Sequence, residues 1–511
     1  MLIATTLLAL SAFGETPTAA PYRYVPATSS GPKPTLPDGG YVPFDWAVGE
    51  VPAAGGSMQG VTLTWNVPNA TTLDNPGRAT LRITSATDVR ENVEVTVKTA
   101  VSGKLVGTFD LRFAMYLQPF ELPVPAADVP AVLSEGVTLT MTRGTKPFWF
   151  FGAETGPKSA PTAYQPHLLV YQEHHADEAT TAGSPDRWQD RLLSLDSVQT
   201  FGWMEGCVMD GLYELSRTGR SAGAAPAKSV KAKTVLQKHL DLFFANNSLV
   251  YANLNNRKAV GTINTVESIL PFALLAQTNP GHPLLQTAVQ FCEAHANADG
   301  VIADGTGPNR VLKTEECYTV SYPLAVLSKT LNRPDLAQLA IKTLQARVQL
   351  LVKGTGIFQR GTEQGIPVFE NWSRGVVWYL LGLAKTLAHL PATAETEPLK
   401  ATLQTAVNNV LAYQQPNGLW YCFMHQPETG YETSGTAGIA AALTYGVQKN
   451  LLPRTVLTAV ERAKNGLATY LTPDGYLTGT AQGNKGGDDL QRGGFRVISP
   501  YTLGFLAHLT L

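Results

Sequence analysis

The stretch NWSRGVVWYLLGLAKTL, Asn371 to Leu387, opens with two tryptophans and an arginine and then runs almost wholly apolar. A helix of that composition has little to offer water and belongs inside an assembly of helices. Other apolar, glycine-containing helices begin near Phe201, Thr262, Glu316, Glu432 and Gly494. More polar amphipathic segments alternate with them: KSVKAKTVLQKHLDLFF, HPLLQTAVQFCEAH, PDLAQLAIKTLQARVQLLV, EPLKATLQTAVNNVLAYQ and RTVLTAVERAKNGLATYL. The short piece DRWQDRLLSL is a candidate sixth partner. The connections repeat as well. Gly300, Gly356, Gly418 and Gly475 each precede an apolar or aromatic pair, as tight turns feeding the next helix would. Helix pairs in series bury their apolar faces against one another. Six pairs can close into a ring, with the apolar helices inside and their N-terminal ends gathered at one mouth.

The rest of the chain has a different period. From about Met58 to Gln172, segments such as GVTLTWNV, ATLRITSA, VEVTVKTA, GVTLTMTRG and HLLVYQ alternate every two residues and carry many β-branched and aromatic side chains. Several short strands without intervening helices predict a β-sandwich over residues 51–175. The overall class is thus α+β and multidomain, with the helical domain over 186–511. Residues 1–20 are apolar from Leu2 to Phe13, too short to cross a bilayer and suited to a signal peptide, which predicts a secreted or periplasmic protein. Residues 21–50, rich in Pro, Ser, Thr and Gly, read as a linker. No other segment is apolar enough to span a membrane. The formal net charge of −1 offers no global basic field for nucleic acid. Four widely separated cysteines without a C-x-x-C pair predict buried free thiols.

The polar start of the Asn371 helix suggests a pocket. Arg374 and Trp378 are four residues apart, hence on one face, and Trp372 lies at the entry turn. Aromatic faces stack on sugar C–H surfaces, and a guanidinium pairs with a carboxylate through two hydrogen bonds. Together they describe a site for an acidic sugar. The plainer alternative is a pair of core tryptophans beside an arginine that snorkels to solvent.

The segment W-S-R-G-V-V-W resembles the W-x-R-G-x-x-W segment of unsaturated uronyl hydrolases, glycoside hydrolase families 88 and 105. NGLWYCFMHQPETGYETSG is similar to their D-G-L-W stretch and following E-T-S-G helix, and FGWMEGCVMDGLYELSRTGR resembles their first inner helix. The likeness spans roughly Phe201 to Leu452. It implies an (α/α)6 barrel, exo attack on a terminal uronic acid, and a sugar subsite lined by Trp372, Arg374 and Trp378. It also places Glu432 near that subsite. Three departures stand out. The family's catalytic Asp falls on TEECYTVSYPL, so the acid is Glu315 or Glu316. A second family Asp falls on TINTVESILP, where Asn264 is no acid and Glu267 is. A pocket His falls on GIFQRG, giving Gln359 or Arg360.

A saturated glycoside needs a general acid and a second carboxylate. Glu267 and Glu316, or Glu315, could supply that pair. The leading expectation is therefore a β-glucuronidase-type exo-hydrolase of acidic glycans, resembling barrel enzymes with an N-terminal sandwich such as glycoside hydrolase family 154. The alternatives are an unsaturated glucuronyl or rhamnogalacturonyl hydrolase acting by vinyl-ether hydration, a polysaccharide lyase, and a non-catalytic glycan-binding protein. Tyr318, Trp203, Glu205, Arg360 and His425 complete the candidate sugar contacts. Glu432 and Glu316 each have a structural reading too, as acids at a helix start. The Gly-rich loop GNKGGDDLQRGGFR is expected to close over the mouth. It lacks the G-K-[ST] ending of a phosphate loop and the ligand spacing of a calcium loop. No metal or cofactor is expected, and His174 and His175 read as a solvated linker. The sandwich is expected to buttress the ring or mediate homodimerisation, with Trp149 as its candidate exposed sugar-binding aromatic.

Overall fold

The computed structural model describes residues 22–31, 34, 40–55, 60–65, 76–152, 159–172, 187–217, 226–253, 255–305, 309–362 and 364–510. The expected signal peptide, and His174 and His175, lie outside these residues. Among the described residues, ten strands form the N-terminal part: β1 (Tyr22–Ser30), β2 (Val48–Val51), β3 (Val61–Trp65), β4 (Pro76–Ser85), β5 (Glu94–Thr99), β6 (Leu105–Asp110), β7 (Gln118–Val124), β8 (Val137–Arg143), β9 (Phe148–Phe151) and β10 (His167–Gln172). A short helix, α1 (Val129–Glu135), precedes β8. The strands are antiparallel, in the order β2-β9-β4-β10-β1-β3-β8-β5-β6, with β7 also on β4. β1 joins two groups of strands: Tyr22–Pro26 pair with β10 and Ala27–Ser30 with β3. Both groups feed one core, in which Leu81, Phe150 and Leu168 meet Leu63, Val95 and Leu139.

The expectation that residues 21–50 form a linker is corrected here. β1 turns only Val25 and Ala27 inward, so a strand hides within a Pro/Ser/Thr-rich composition. Trp149 is likewise buried rather than exposed, and its Nε1–H donates to Glu50 Oε2 at 3.0 Å.

The helical part contains α2 (Arg187–Leu192), α3 (Trp203–Arg217), α4 (Pro226–Phe244), α5 (Leu270–Thr278), α6 (Leu284–His295), α7 (Tyr322–Thr330), α8 (Pro334–Leu351), α9 (Ser373–His389), α10 (Glu397–Leu411), α11 (Thr433–Gln448), α12 (Leu457–Ala468), α13 (Gly487–Arg492) and α14 (Thr502–His508). Contacts run α3 to α5 to α7 to α9 to α11 to α14 and back to α3, a closed cycle of six apolar helices. Each is backed by a more polar one: α4, α6, α8, α10 and α12 in turn, with α2 behind α14. Glycine lets the ring close. A Cβ at Gly504 would sit 2.0 Å from Cys207 O, so α14 and α3 meet backbone to backbone. Three of the four expected turn glycines, Gly300, Gly418 and Gly475, have positive φ. Gly356 instead lies in the strand Gly356–Gly361, and Gly354 makes that turn. All four cysteines are buried and free.

The two parts are joined by a buried ion pair. Arg82 of β4 reaches Asp474, in the turn after α12, through Nη1 at 2.5 Å and Nη2 at 2.9 Å. Tyr24 of β1 donates to the same carboxylate.

Candidate active site

A cavity of about 170 Å³ opens where the inner helices begin. Trp203 stands at the start of α3, Glu267 just before α5, Glu315 just before α7, and Trp372, Arg374 and Trp378 at the start of α9, and all of them line it. The convergence of helix N-termini favours bound negative charge. Lys313, Arg360 and Lys485 add cations to the same wall.

Glu315 is buried, yet it lines the cavity. Gln359 Nε2 donates to its Oε1 at 2.7 Å. Burial, and then the neighbouring charge of Glu267, push its carboxyl up to about 7, against the pull of Lys313. A carboxyl so placed is able to give up a proton near neutrality. Glu267 is partly exposed and accepts from Lys313 Nζ at 2.8 Å; Lys313 also reaches Asp304 at 3.1 Å. Burial disfavours the Lys313 ammonium, but Glu267, Glu316, Glu315 and Asp304 outweigh it and hold the group firmly charged.

Arg374 is a buried fixture of the wall. Its guanidinium stacks on Trp372, 4.6 Å from the ring centroid, and donates to Ala481 O and Gln482 O, both at 2.7 Å, and to Tyr501 Oη at 3.1 Å. It therefore also ties the start of α9 to the loop before α13. Trp203 meets Trp378 edge to face at 5.2 Å, so two packed indoles line the cavity. The Arg360 guanidinium lies over Phe369 and has no ion pair or side-chain hydrogen bond among the described residues.

A profile of Glycosyl Hydrolase Family 88 matches residues 185–505, well over half of the chain. The chain belongs to that family. Among curated proteins, it is similar to an unsaturated 3S-rhamnoglycuronyl hydrolase of Formosa agariphila, 28% identical over 220 residues, covering 39% of this chain and 58% of that protein. It also resembles the unsaturated rhamnogalacturonyl hydrolase YesR of Bacillus subtilis, 31% identical over 122 residues, covering 20% of this chain and 34% of the relative. The matches thus span about half and about a third of these relatives. Among solved structures, a glycoside hydrolase of family 105 from C. acetobutylicum has a TM-score of 0.52 at 18% identity, covering 64% of this chain and 99% of the other. A structure described as a possible member of that family, from Salmonella enterica, has a TM-score of 0.53 at 21% identity, covering 64% and 91%. These two show a shared fold.

Five expected site residues of this family 88 chain lie off the cavity. Successive helical residues point about 100° apart, and of this adjacent pair Glu315 lines the cavity while Glu316 does not. Glu316 turns back to accept the Lys313 backbone N–H at 2.7 Å and lies 3.2 Å from Arg347 Nη2. It secures the start of its own turn. Glu205 is buried against His239 Nδ1 at 2.7 Å and accepts the Gln199 N–H at 2.7 Å. Glu432 caps α11, accepting from Ser434 Oγ at 2.7 Å, from the Gly435 N–H, and from the Ala481 N–H at 2.8 Å. His425 is exposed on its loop, beside Gln426. Tyr318 points inward and donates to Asp210 Oδ2 at 2.6 Å, with its ring stacked beneath Trp378.

Glu316 provides a clean contrast with Glu315. Glu316→Gln should leave turnover within a few-fold of the unaltered chain while lowering stability by about 1–3 kcal/mol, because a buried charge-assisted bond is lost. Steady-state rates beside thermal melts check this. A drop in rate as large as that of Glu315→Gln would reverse the assignment.

The sequence reading passed over Lys313, Lys485 and Met115, and named Gln359 only as the alternative to Arg360. Lys313 precedes Glu315 by two residues in VLKTEE, and that adjacency was the available signal. Lys485 sits in the Gly-rich loop expected at the mouth, where Gly483, Asn484 and Lys485 do line the cavity. Met115 comes from the sheet part of the chain, and nothing in its local sequence marks it.

Proposed function

We propose that this chain removes a terminal unsaturated uronic acid from an acidic oligosaccharide by hydrating its 4,5 double bond. The observation that carries this is Glu315: a buried carboxyl at the cavity wall, lifted to about 7, and therefore available as an acid near neutral pH. Vinyl-ether hydration needs one such donor. Protonation at C4 places positive charge on C5 and the ring oxygen. Water then adds at C5 and yields its proton to the Glu315 carboxylate. The resulting hemiketal opens, and the leaving sugar departs as its C1 hemiacetal collapses. Arg360 is the cation for the sugar carboxylate, and Trp203 and Trp378 bound the ring. Family membership and the names of the curated relatives support this reading.

The β-glucuronidase-type reading is set aside in its favour. It called for Glu267 and Glu316 as a pair across the mouth, or for Glu315 in place of Glu316. Glu316 is turned away from the cavity, and Glu267 is engaged by Lys313. We also infer that the ring is an (α/α)6 barrel, that the ten strands form a sandwich, and that the protein is secreted or periplasmic.

The test is a pair of assays. An unsaturated uronyl disaccharide should lose the ultraviolet absorbance of its conjugated double bond, while an aryl β-glucuronide should stay intact. Release of the aryl group without that loss of absorbance would overturn the proposal. The rate should be level below pH 7 and fall about tenfold per unit well above it, because Glu315 must hold its proton.

A further inference from the structure

Four carboxyls lie around the ammonium of Lys313, and they are partnered differently. Lys313 Nζ donates to Glu267 Oε1 at 2.8 Å and to Asp304 Oδ2 at 3.1 Å. Asp304 Oδ1 in turn accepts the Val266 N–H at 3.0 Å, which ties the loop after α6 to the turn that carries Glu267. Glu316 pairs with Arg347 of α8. Glu315 has neutral partners instead, the Gln359 amide at 2.7 Å and the Thr314 hydroxyl at 3.4 Å. A carboxyl bonded to an ammonium stays ionised, whereas one buried among neutral donors and facing a second carboxylate keeps its proton.

The backbone fixes Lys313 in the place that makes this division. Leu312 and Lys313 form a two-residue strand that pairs with Gly356–Gly361, and Lys313 stands opposite Arg360. The Lys313 N–H is held by Glu316 Oε2 at 2.7 Å, and its carbonyl accepts from Arg347 Nε at 3.1 Å. The further cation near Glu267 is Lys485, on the loop before α13, and Asp88 engages it at 2.8 Å.

We propose that Lys313 is a positioning residue for the proton transfer: by holding Glu267 and Asp304 as carboxylates, it leaves the transferable proton of this wall on Glu315. Its part in turnover rests on the uronide reading above. Without the ammonium, Glu267 and Glu315 would share a proton, and the share on Glu267 is withheld from C4. Once Glu315 has protonated C4, it is a carboxylate beside a carboxylate. The same ammonium then offsets the two charges until the attacking water returns a proton to Glu315.

Infrared difference spectra taken across pH read the C=O stretch of a protonated glutamic acid directly and need no turnover. In the unaltered chain, a band that fades as pH rises through about 7 should be absent from Glu315→Gln. Glu267→Gln should keep that band, with a lower midpoint, because a negative neighbour is gone. In Lys313→Met the midpoint should rise by about one pH unit, since a cation beside a carboxyl favours its ionised form. Added to Lys313→Met, Glu315→Gln and Glu267→Gln should each remove only part of the band. Lys313→Arg should restore the behaviour of the unaltered chain, and the alkaline fall of kcat should follow the same midpoints. An unmoved midpoint in Lys313→Met overturns the proposal. So does a band that Glu267→Gln abolishes in the otherwise unaltered chain, an arm that needs no change at Lys313. If the unaltered chain consumes no unsaturated disaccharide, the uronide reading falls while the spectra still decide where the proton sits. Normal consumption with an unmoved midpoint sinks the role of Lys313 alone.

Discussion

Glu315→Gln is expected to lower kcat by about 10²–10⁴-fold with little change in melting temperature. The amide keeps the shape of the side chain and can still bond to Gln359, which approaches Glu315 Oε1 at 2.7 Å. What it lacks is a transferable proton. Because the carboxyl is already lifted to about 7, it is largely protonated in the folded protein below neutrality, so its replacement by a neutral amide removes little stability there. Circular dichroism and melting curves should therefore match those of the unaltered chain while the absorbance assay goes flat. Retained activity would move the proton donor elsewhere, with Glu267 the next acid at the wall.

The second large effect concerns stability. Lys385→Met should destabilise the fold by about 3–5 kcal/mol at neutral pH, the cost of breaking a buried pair from one side. Lys385 is fully buried on α9, 2.7 Å from Asp210 and 2.8 Å from Glu214, both on α3. Asp210 also accepts from Tyr318 at 2.6 Å and lies 3.4 Å from His508 on α14. Burial alone raises the Asp210 carboxyl, but Lys385 and His508 outweigh it and hold the group well below the usual carboxylate range. A depressed folded pKa contributes stability above the unfolded value and loses it as pH falls. In Lys385→Met the two carboxylates lose their counter-ion and take up protons more readily. The gap between variant and parent should therefore narrow from pH 7 toward pH 4, as urea denaturation at both pH values would show. A gap that stays constant or widens would mean that packing, and not charge, dominates the loss.

The helical domain was legible because its signal is periodic. Apolar segments with glycines had to be inner helices, and even DRWQDRLLSL took its place as α2 behind α14. The N-terminal strands were legible where they alternated, as in β3, β5 and β8. β9 is FWFF, buried on every residue, and β7 carries Pro119 and Pro123, so neither shows a period of two. At the site, Trp372, Arg374 and Trp378 were legible as a group because they share a helix end. Which of Glu315 and Glu316 faces the cavity depended on helix phase. The wide turn Cys317–Ser321 before α7, a π-helical stretch, sets that phase, and no residue pattern announced it. Glu432 caps α11, the structural reading that its place at a helix start already allowed, and Glu205 is taken up by His239 and the Gln199 N–H, a partnership across the chain that its local sequence does not show. Met115 was out of reach, since its neighbours at the cavity, Gly483 among them, lie hundreds of positions away in the chain.

The Arg82–Asp474 contact bears on how this protein can be taken apart. Truncating at the segment between β10 and α2 would strand a carboxylate in one fragment and a guanidinium in the other, each sealed away from water in the intact chain. Neither fragment should behave as an autonomous module, and grafting the strands onto a relative that lacks an acid at this position should give an insoluble chimera. The strands are better regarded as part of the enzyme's foundation than as an accessory that can be exchanged.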